Sequence, residues 1–145
     1  MLSPAESEAF ALKRTVIVNA NLVLENGILY DGILLIENGR IAGFGPGRNA
    51  EIPADAQIID AQGAYVGPGF VDIHVHAGGG YSTCEEPAKA AEFFLRHGET
   101  SILATTDYHM DKKMLMEVIA TIKEGMKKAP TIKGIYMEGP YTNPK

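Results

Sequence analysis

The feature that most constrains the fold is a change of sequence rhythm at Gly67-Pro68-Gly69. Before this point, short β-branched and aromatic runs alternate with turn residues. After it, apolar strand-like runs alternate with two longer segments of helical periodicity, and the strands begin about thirty residues apart, which is the length of one strand–helix unit in a parallel sheet. We therefore predict an α/β chain with a β-rich module in residues 1–66 and an α/β part in residues 67–145.

The β-rich module is predicted to be small and antiparallel. Its expected strands are residues 15–18, 32–36, 40–44, 57–60 and 64–66. Asn26-Gly27 and Asn38-Gly39 are typical hairpin turns. Gly43, Gly45 and Gly47 lack the spacing of a dinucleotide fingerprint and no helix follows them, so we interpret them as turn residues rather than as a phosphate loop.

The α/β part is predicted to run strand–helix–strand–helix–strand. The strands are expected at residues 70–76, 101–105 and 133–138, and the helices at 87–97 and 112–127. Pro87 suits a first helical turn and Gly98 a helix C-terminus. One face of the second helix carries an apolar stripe, interpreted as core: Met114, Leu115, Val118, Ile119, Ile122 and Met126.

Three strands make an incomplete α/β architecture. A (β/α)8 barrel takes about 250 residues, so we expect this part to be the first three strand–helix units of such a barrel, preceded by the β-rich module. The alternative is a small open three-stranded α/β sheet, which would leave its edges exposed.

Strand alternation in residues 70–76 separates an apolar face from a chemical one. Val71, Ile73 and Val75 point one way, as a face covered by helices would, whereas Asp72, His74 and His76 point the other. Two imidazoles two residues apart can bend towards one cation. A His-x-His pair alone is a weak signal, but unpaired imidazoles on an inward face would be costly, which favours a metal pair. Asp72 is either a hydrogen-bonding partner that orients an imidazole or a structural carboxylate.

The third predicted strand ends in a carboxylate. By the same alternation Ile135 and Met137 face the helices and Glu138 faces the interior, at the strand end where α/β barrels place their chemistry. Glu138 can ligate the same cation. Taken alone, however, a glutamate at a strand end is more often a solvated charge than a metal ligand. The candidate metal ligands are therefore His74, His76 and Glu138.

Composition excludes several function classes. The 13 Lys and Arg against 18 Asp and Glu give a formal charge of −5 without a basic stripe, so we expect no nucleic-acid partner. Cys84 is the single cysteine and is interpreted as a small packed residue in a reducing cytoplasm. No run approaches the roughly 18 apolar residues of a membrane span, and the acidic start is unlike a signal peptide.

His97 and His109 are expected at a helix end and in a loop, without a role in the site.

Residues 68–76 resemble the first-strand signature of the amidohydrolase superfamily, which includes dihydroorotases, hydantoinases, deaminases and sugar-phosphate deacetylases. Within it, the chain is similar to the N-acetylglucosamine-6-phosphate deacetylase family in the order and spacing of four further blocks. These are His97-Gly98-Glu99-Thr100-Ser101, Ala104-Thr105-Thr106, Met137-Glu138-Gly139-Pro140-Tyr141 and Asn143-Pro144-Lys145. The resemblance covers nearly all of the chain after its first dozen residues.

This resemblance implies a fold, a cofactor and a reaction. The implied fold is a TIM-like barrel with a small β-sandwich completed by the C-terminal end of the chain. The implied cofactor is one or two divalent cations, zinc first and iron as another possibility, with Glu138 as a ligand. The implied reaction is deacetylation of N-acetylglucosamine 6-phosphate by a cytoplasmic homodimer.

The remaining histidine ligands and the catalytic aspartate are implied to lie beyond Lys145, so the isolated chain is expected to be inactive. The alternatives are a galactosamine-6-phosphate deacetylase, a dihydroorotase, an isoaspartyl dipeptidase, or a non-catalytic protein with this fold.

Overall fold

The computed structural model describes residues 13–139, and the chain divides into two units, the first ending at Pro68 and the second beginning at Gly69. The sequence predictions that concern Pro140, Tyr141 and the Asn143-Pro144-Lys145 block lie outside the described residues. Among residues 13–139, no helix has both the length and the hydrophobicity needed to cross a bilayer.

The first unit is one five-stranded sheet. Its strands are β1 (Arg14–Leu24), β2 (Gly27–Glu37), β3 (Arg40–Pro46), β4 (Gln57–Asp60) and β5 (Tyr65–Val66), in the order β3-β2-β1-β4 with β5 also paired to β1. Hairpins form near both predicted positions: Asn38-Gly39 is the turn between β2 and β3 as predicted, whereas the turn between β1 and β2 is Glu25-Asn26, one residue earlier than predicted, with Gly27 already paired with Leu24. Asn38 and Gly39 have φ of 50° and 74°, the left-handed values that a tight hairpin turn requires.

Two predictions for this unit are wrong. The module is not wholly antiparallel, because β4 and β5 both pair with β1 in parallel. Gly43 and Gly45 lie inside β3 rather than in turns, opposite Leu35 and Ile33 of β2. A glycine removes a side chain but leaves the strand's backbone hydrogen bonds available, so it weakens a strand without ending it.

The second unit has the predicted strand–helix alternation. It contains β6 (Phe70–Val75), the short strands β7 (Ala77–Gly78) and β8 (Tyr81–Ser82), α1 (Pro87–Arg96), β9 (Glu99–Thr106), α2 (Lys112–Lys128) and β10 (Ile132–Met137). The strands β10, β9 and β6 form a parallel sheet in that order. All three carboxyl ends therefore lie along one edge. The mixed α/β class is confirmed, and the described part comprises these sheets and two helices.

The core of this unit lies between the sheet and the two helices. Ile102 and Ala104 of β9 and Ile132 of β10 are buried together with Ile122 of α2 and Phe94 of α1. Val118 and Met126 pack against this core, as the apolar stripe predicted. Met114 does not, since it is 45% exposed at the first turn of the helix.

The face of β6 that was expected to lie under helices is only partly covered. Val75 is buried, but Val71 and Ile73 are 69% and 61% exposed. The physical reason is the position of the helices, which pack on β9 and β10, whereas β6 lies at the edge of the three-stranded sheet.

The glycine run after His76 forms the β7–β8 hairpin rather than an open loop. Gly79 has a φ of 62°, and a Cβ atom there would lie 2.6 Å from Cδ2 of Phe93. Only glycine satisfies both the left-handed backbone and this close approach to α1. The hairpin is consequently packed tightly against the first helix.

Candidate metal centre

Three predicted ligands meet at the carboxyl edge of the parallel sheet. His74 lies in β6, His76 directly follows it, and Glu138 directly follows β10. One ligand atom from each of the three lies within 4.8 Å of the others. Their side chains are 42%, 42% and 36% exposed, so the cluster opens to solvent on one side.

The distances between the three atoms suit a single cation. His76 Nε2 lies 2.9 Å from Glu138 Oε2 and 3.2 Å from His74 Nε2, and the third separation, His74 Nε2 to Glu138 Oε2, is 3.6 Å. A circle through these atoms has a radius of about 1.9 Å, close to the zinc–ligand bond lengths of about 2.0–2.2 Å. Two imidazoles and one carboxylate are also a donor set typical of catalytic zinc. The three residues therefore fit a divalent metal ion.

A fourth side chain, that of Asp107, contacts the cluster and was not predicted from the sequence. Its Oδ1 lies 3.1 Å from Nδ1 of His76, on the opposite side of the ring from Glu138. Asp107 directly follows β9, just as His76 follows β6 and Glu138 follows β10. That shared position at three strand ends was the available signal, because parallel strands bring their carboxyl ends together.

Asp72 makes a different contact from the ring-orienting one considered above. Its Oδ1 accepts a hydrogen bond from the backbone N–H of His74 at 2.9 Å. This bond spans only two residues and fixes the main chain of β6 rather than an imidazole ring. The structure thus favours the structural interpretation of Asp72 and places Asp107 at the ring of His76.

A buried threonine fixes the strand ends that carry the site. Thr83 is fully buried, its N–H donates to His76 O at 2.7 Å, and its Oγ1 lies 2.9 Å from the same oxygen and 3.3 Å from Thr105 O. Thr83, the residue after β8, therefore contacts the ends of both β6 and β9. Cys84, next along the chain, is buried, and its burial, followed by the negative charge of Asp107, raises the pKa of its thiol. A protonated buried thiol is unreactive, as expected of a packed residue.

The other two histidines make their contacts outside the ligand cluster, whereas one tyrosine lies against it. His97 caps α1 and its Nδ1 lies 2.8 Å from Phe93 O, while His109 is in the loop after β9 beside Tyr108. Both positions agree with the sequence interpretation. Tyr136, two residues before Glu138, lies with its ring centroid 4.9 Å from that of His74.

The proteins that resemble this chain in sequence or in structure carry several different enzyme names. No protein-family model matches the chain. An adenine deaminase of Listeria monocytogenes is 40% identical over 106 residues, which cover 72% of this chain and 17% of that protein. A dihydroorotase of Staphylococcus epidermidis is 42% identical over 73 residues, covering 48% of this chain and 17% of that one. A solved N-acetyl-D-glucosamine-6-phosphate deacetylase of Mycobacterium smegmatis superposes with a TM-score of 0.68 and 26% identity, over 89% of this chain and 36% of that structure.

The chain spans only 17% of the length of the curated adenine deaminase and dihydroorotase that it matches. The relatives carry different enzyme names, but all of them are hydrolases of the amidohydrolase superfamily. Sequence and fold together support placing this chain in the amidohydrolase superfamily.

Proposed function

We propose that this chain supplies His74, His76 and Glu138 as ligands of a divalent cation in a hydrolase that converts N-acetylglucosamine 6-phosphate and water into glucosamine 6-phosphate and acetate. The observation that carries the proposal is the meeting of two imidazole nitrogens and one carboxylate oxygen, 2.9–3.6 Å apart, at the carboxyl edge of a parallel sheet. Active sites of α/β barrels lie at this edge.

The proposed chemistry divides between the cation and the residues of the chain. A bound divalent cation lowers the pKa of water towards about 7 and polarises a carbonyl group. His74 and His76 each direct Nε2 into the cluster, and Glu138 directs Oε2 into it. All three side chains are partly exposed, which leaves them accessible to groups supplied from outside this chain. We expect the catalytic aspartate, further histidine ligands and phosphate-binding groups to lie outside this chain.

The choice of a deacetylase rests on the motif that contains Glu138. Residues 137–141 and 143–145 resemble the deacetylase family in order and spacing, and the solved deacetylase of 26% identity follows the fold over 89% of the chain.

We extend the proposal to a zinc cofactor, to an amino-sugar phosphate as substrate and to a homodimeric enzyme. Light scattering on the product of the complete reading frame tests the dimer, and a monomer at assay concentration would contradict it.

Adenine deamination is the second candidate, favoured by the 40% identity over 106 residues. The dihydroorotase relative points to a third substrate of the same chemical kind. In all three reactions water attacks an sp² carbon that is bonded to nitrogen, so one metal site can serve each of them. These enzymes differ in the groups that recognise the phosphorylated sugar, the purine or the pyrimidine. The three candidate metal ligands do not distinguish between them.

A panel of substrates tests the proposal on the protein encoded by the complete reading frame. The panel comprises N-acetylglucosamine 6-phosphate, its unphosphorylated form, adenine and dihydroorotate, each with and without added zinc. We expect zinc-dependent acetate release from the phosphorylated sugar alone. Ammonia release from adenine, or opening of the dihydroorotate ring, would replace the deacetylase assignment while leaving the metal site in place.

The Glu138→Gln variant tests the metal site itself. The amide keeps the size of the side chain but loses the charge, so we expect bound metal and activity to fall together by at least tenfold. Glu92→Gln is the matched control, because it makes the same change on the exposed face of α1, where Glu92 pairs with Arg96. A Glu138→Gln protein with full metal content and full activity would remove Glu138 from the site.

A further inference from the structure

His76 differs from His74 in having a carboxylate beside each of its ring nitrogens. Nδ1 lies 3.1 Å from Asp107 Oδ1, and Nε2 lies 2.9 Å from Glu138 Oε2. Among residues 13–139, the carboxylate contact of His74 is made by Nε2 alone. The ring of His76 is therefore held from both sides, whereas the ring of His74 lies against Tyr136.

We propose that Asp107 is a positioning residue of the metal site, which accepts the Nδ1 proton of His76 and so keeps the Nε2 lone pair directed at the cation. The inference rests on the proposed metal site and adds to it a residue that does not itself bind the cation. A neutral imidazole carries one proton, and a carboxylate can only accept. A proton shared between Nδ1 and Oδ1 therefore leaves Nε2 free to donate its lone pair.

The alternative role for Asp107, direct ligation, fits the geometry less well. The compact triangle of 2.9–3.6 Å is formed by His74 Nε2, His76 Nε2 and Glu138 Oε2. Asp107 instead contacts the far side of the His76 ring, across the imidazole from that triangle. It stands where an outer carboxylate orients a ligating histidine.

The backbone around this contact is fixed by tertiary bonds. Thr83 binds His76 O through both its N–H and its hydroxyl, and the same hydroxyl lies 3.3 Å from Thr105 O, two residues before Asp107. Thr105 and Thr106 are themselves buried. These contacts fix the main chain at His76 and close to Asp107, which helps to preorganise the two side chains.

Zinc affinity of the chain, measured by competition with a chromophoric chelator, tests the proposal with Asp107→Asn. We expect the variant to bind zinc 10- to 100-fold more weakly, the usual effect of losing such an outer partner. Asp111→Asn is the matched control: it removes the same charge from the same β9–α2 loop, and asparagine caps a helix about as well as aspartate. Asp107→Glu, which keeps the carboxylate, should retain more affinity than Asp107→Asn.

Nitrogen-15 NMR of the imidazoles gives a readout independent of activity. In the zinc-loaded wild-type chain, we expect the ring proton of His76 to be on Nδ1 and the metal to be bound to Nε2. The hydrogen bond to the carboxylate should strongly deshield that Nδ1 proton. Asp107→Asn should weaken that deshielding, and Asp111→Asn should not. The wild-type spectrum decides the assignment even if Asp107→Asn fails to fold, because metal on Nδ1 and a proton on Nε2 would overturn the proposal.

The two proposals fail in distinguishable ways. A wild-type protein that binds no zinc even when it is made from the complete reading frame, with the further ligands expected there, overturns the metal site itself. A wild-type chain that binds zinc, with Asp107→Asn binding equally tightly and His76 unchanged in the spectrum, leaves the metal site standing and removes Asp107 from it.

Discussion

One buried hydroxyl group, that of Thr83, lies between the two strand ends that precede His76 and Asp107. Its oxygen lies 2.9 Å from His76 O, 3.2 Å from Val75 O and 3.3 Å from Thr105 O. A hydroxyl has a single hydrogen, so it donates to one of these carbonyls at a time, and His76 O is the nearest. Because Thr83 itself is fully buried, its hydroxyl has no access to water and depends on these carbonyl groups for a partner.

Replacement of Thr83 by valine keeps the shape and removes the hydroxyl. We expect Thr83→Val to lower the free energy of unfolding by about 0.5–1.5 kcal/mol, because the hydroxyl bond to His76 O is lost while the backbone N–H of residue 83 still donates to that carbonyl. Thr121→Val is the control, since Thr121 makes the same kind of bond to Glu117 O on the exposed face of α2, and it should change stability by less than about 0.5 kcal/mol. Denaturant unfolding measures both, and equal effects would contradict the role of burial.

At the residue scale, the sequence located the ligand candidates better than their partners. His74, His76 and Glu138 could be found because strand alternation and strand ends are local properties of the chain. Asp107 and Thr83 act through contacts with residues 31 and 22 positions away, which no local pattern reports. Asp72 was considered in place of Asp107 because it shares the strand of the histidines, but its carboxylate is used by the backbone of His74.

At the element scale, the two helices of the second unit approach each other at a glycine. Gly125 of α2 is buried, and a Cβ atom there would lie 2.5 Å from Cγ and 2.8 Å from Cβ of Pro87 at the start of α1. The proline ring is rigid and buried, so it cannot rotate away. The close contact between α1 and α2 therefore depends on the absence of a side chain at Gly125.

Gly125→Ala sets helix propensity against packing. Alanine favours a helix by about 1 kcal/mol over glycine, but overpacking a tight contact costs about 1–3 kcal/mol. We expect packing to win and the free energy of unfolding to fall by about 1–2 kcal/mol. Gly43→Ala in β3, where a Cβ would meet no atom within 4 Å, should be neutral or stabilising by up to about 1 kcal/mol. A stabilised Gly125→Ala protein would show that the helices can separate at no cost.

The elements of the second unit were predictable because each carries its own period and its own end signals, such as Pro87 and Gly98. The strands of the first unit were less predictable from the sequence. β1 was expected to end at Val18, yet it runs to Leu24 through Asn19, whose φ of 52° marks a bulge between β1 and β2. Asparagine tolerates this left-handed conformation, so a residue typical of turns lies within a strand. The parallel pairing of β4 with β1 depends on the path of residues 47–56, which connect β3 to β4. No sequence motif marks that path.

At the scale of the whole molecule, the candidate ligands link distant parts of the second unit. His76 and Glu138 directly follow the two outer strands of the parallel sheet, β6 and β10, which flank β9 and lie about sixty residues apart along the chain. A cation bound to both would cross-link those strands. Because an unfolded chain does not hold its ligands together, the free energy of metal binding adds to the stability of the folded state.

Zinc should therefore raise the unfolding midpoint of the 145-residue chain. At a free zinc concentration one hundred times the dissociation constant, ligand linkage gives about 2.7 kcal/mol of added stability. Magnesium is the control cation, because it prefers oxygen ligands in octahedral geometry and should produce little shift at the same concentration. Thermal unfolding of the wild type and of Glu138→Gln, each with zinc, magnesium or chelator, measures the effect. An equal zinc shift in both proteins would mean that zinc binds elsewhere in the chain, whereas a shift confined to the wild type would tie the gain in stability to the strand ends that hold Glu138 and the two histidines.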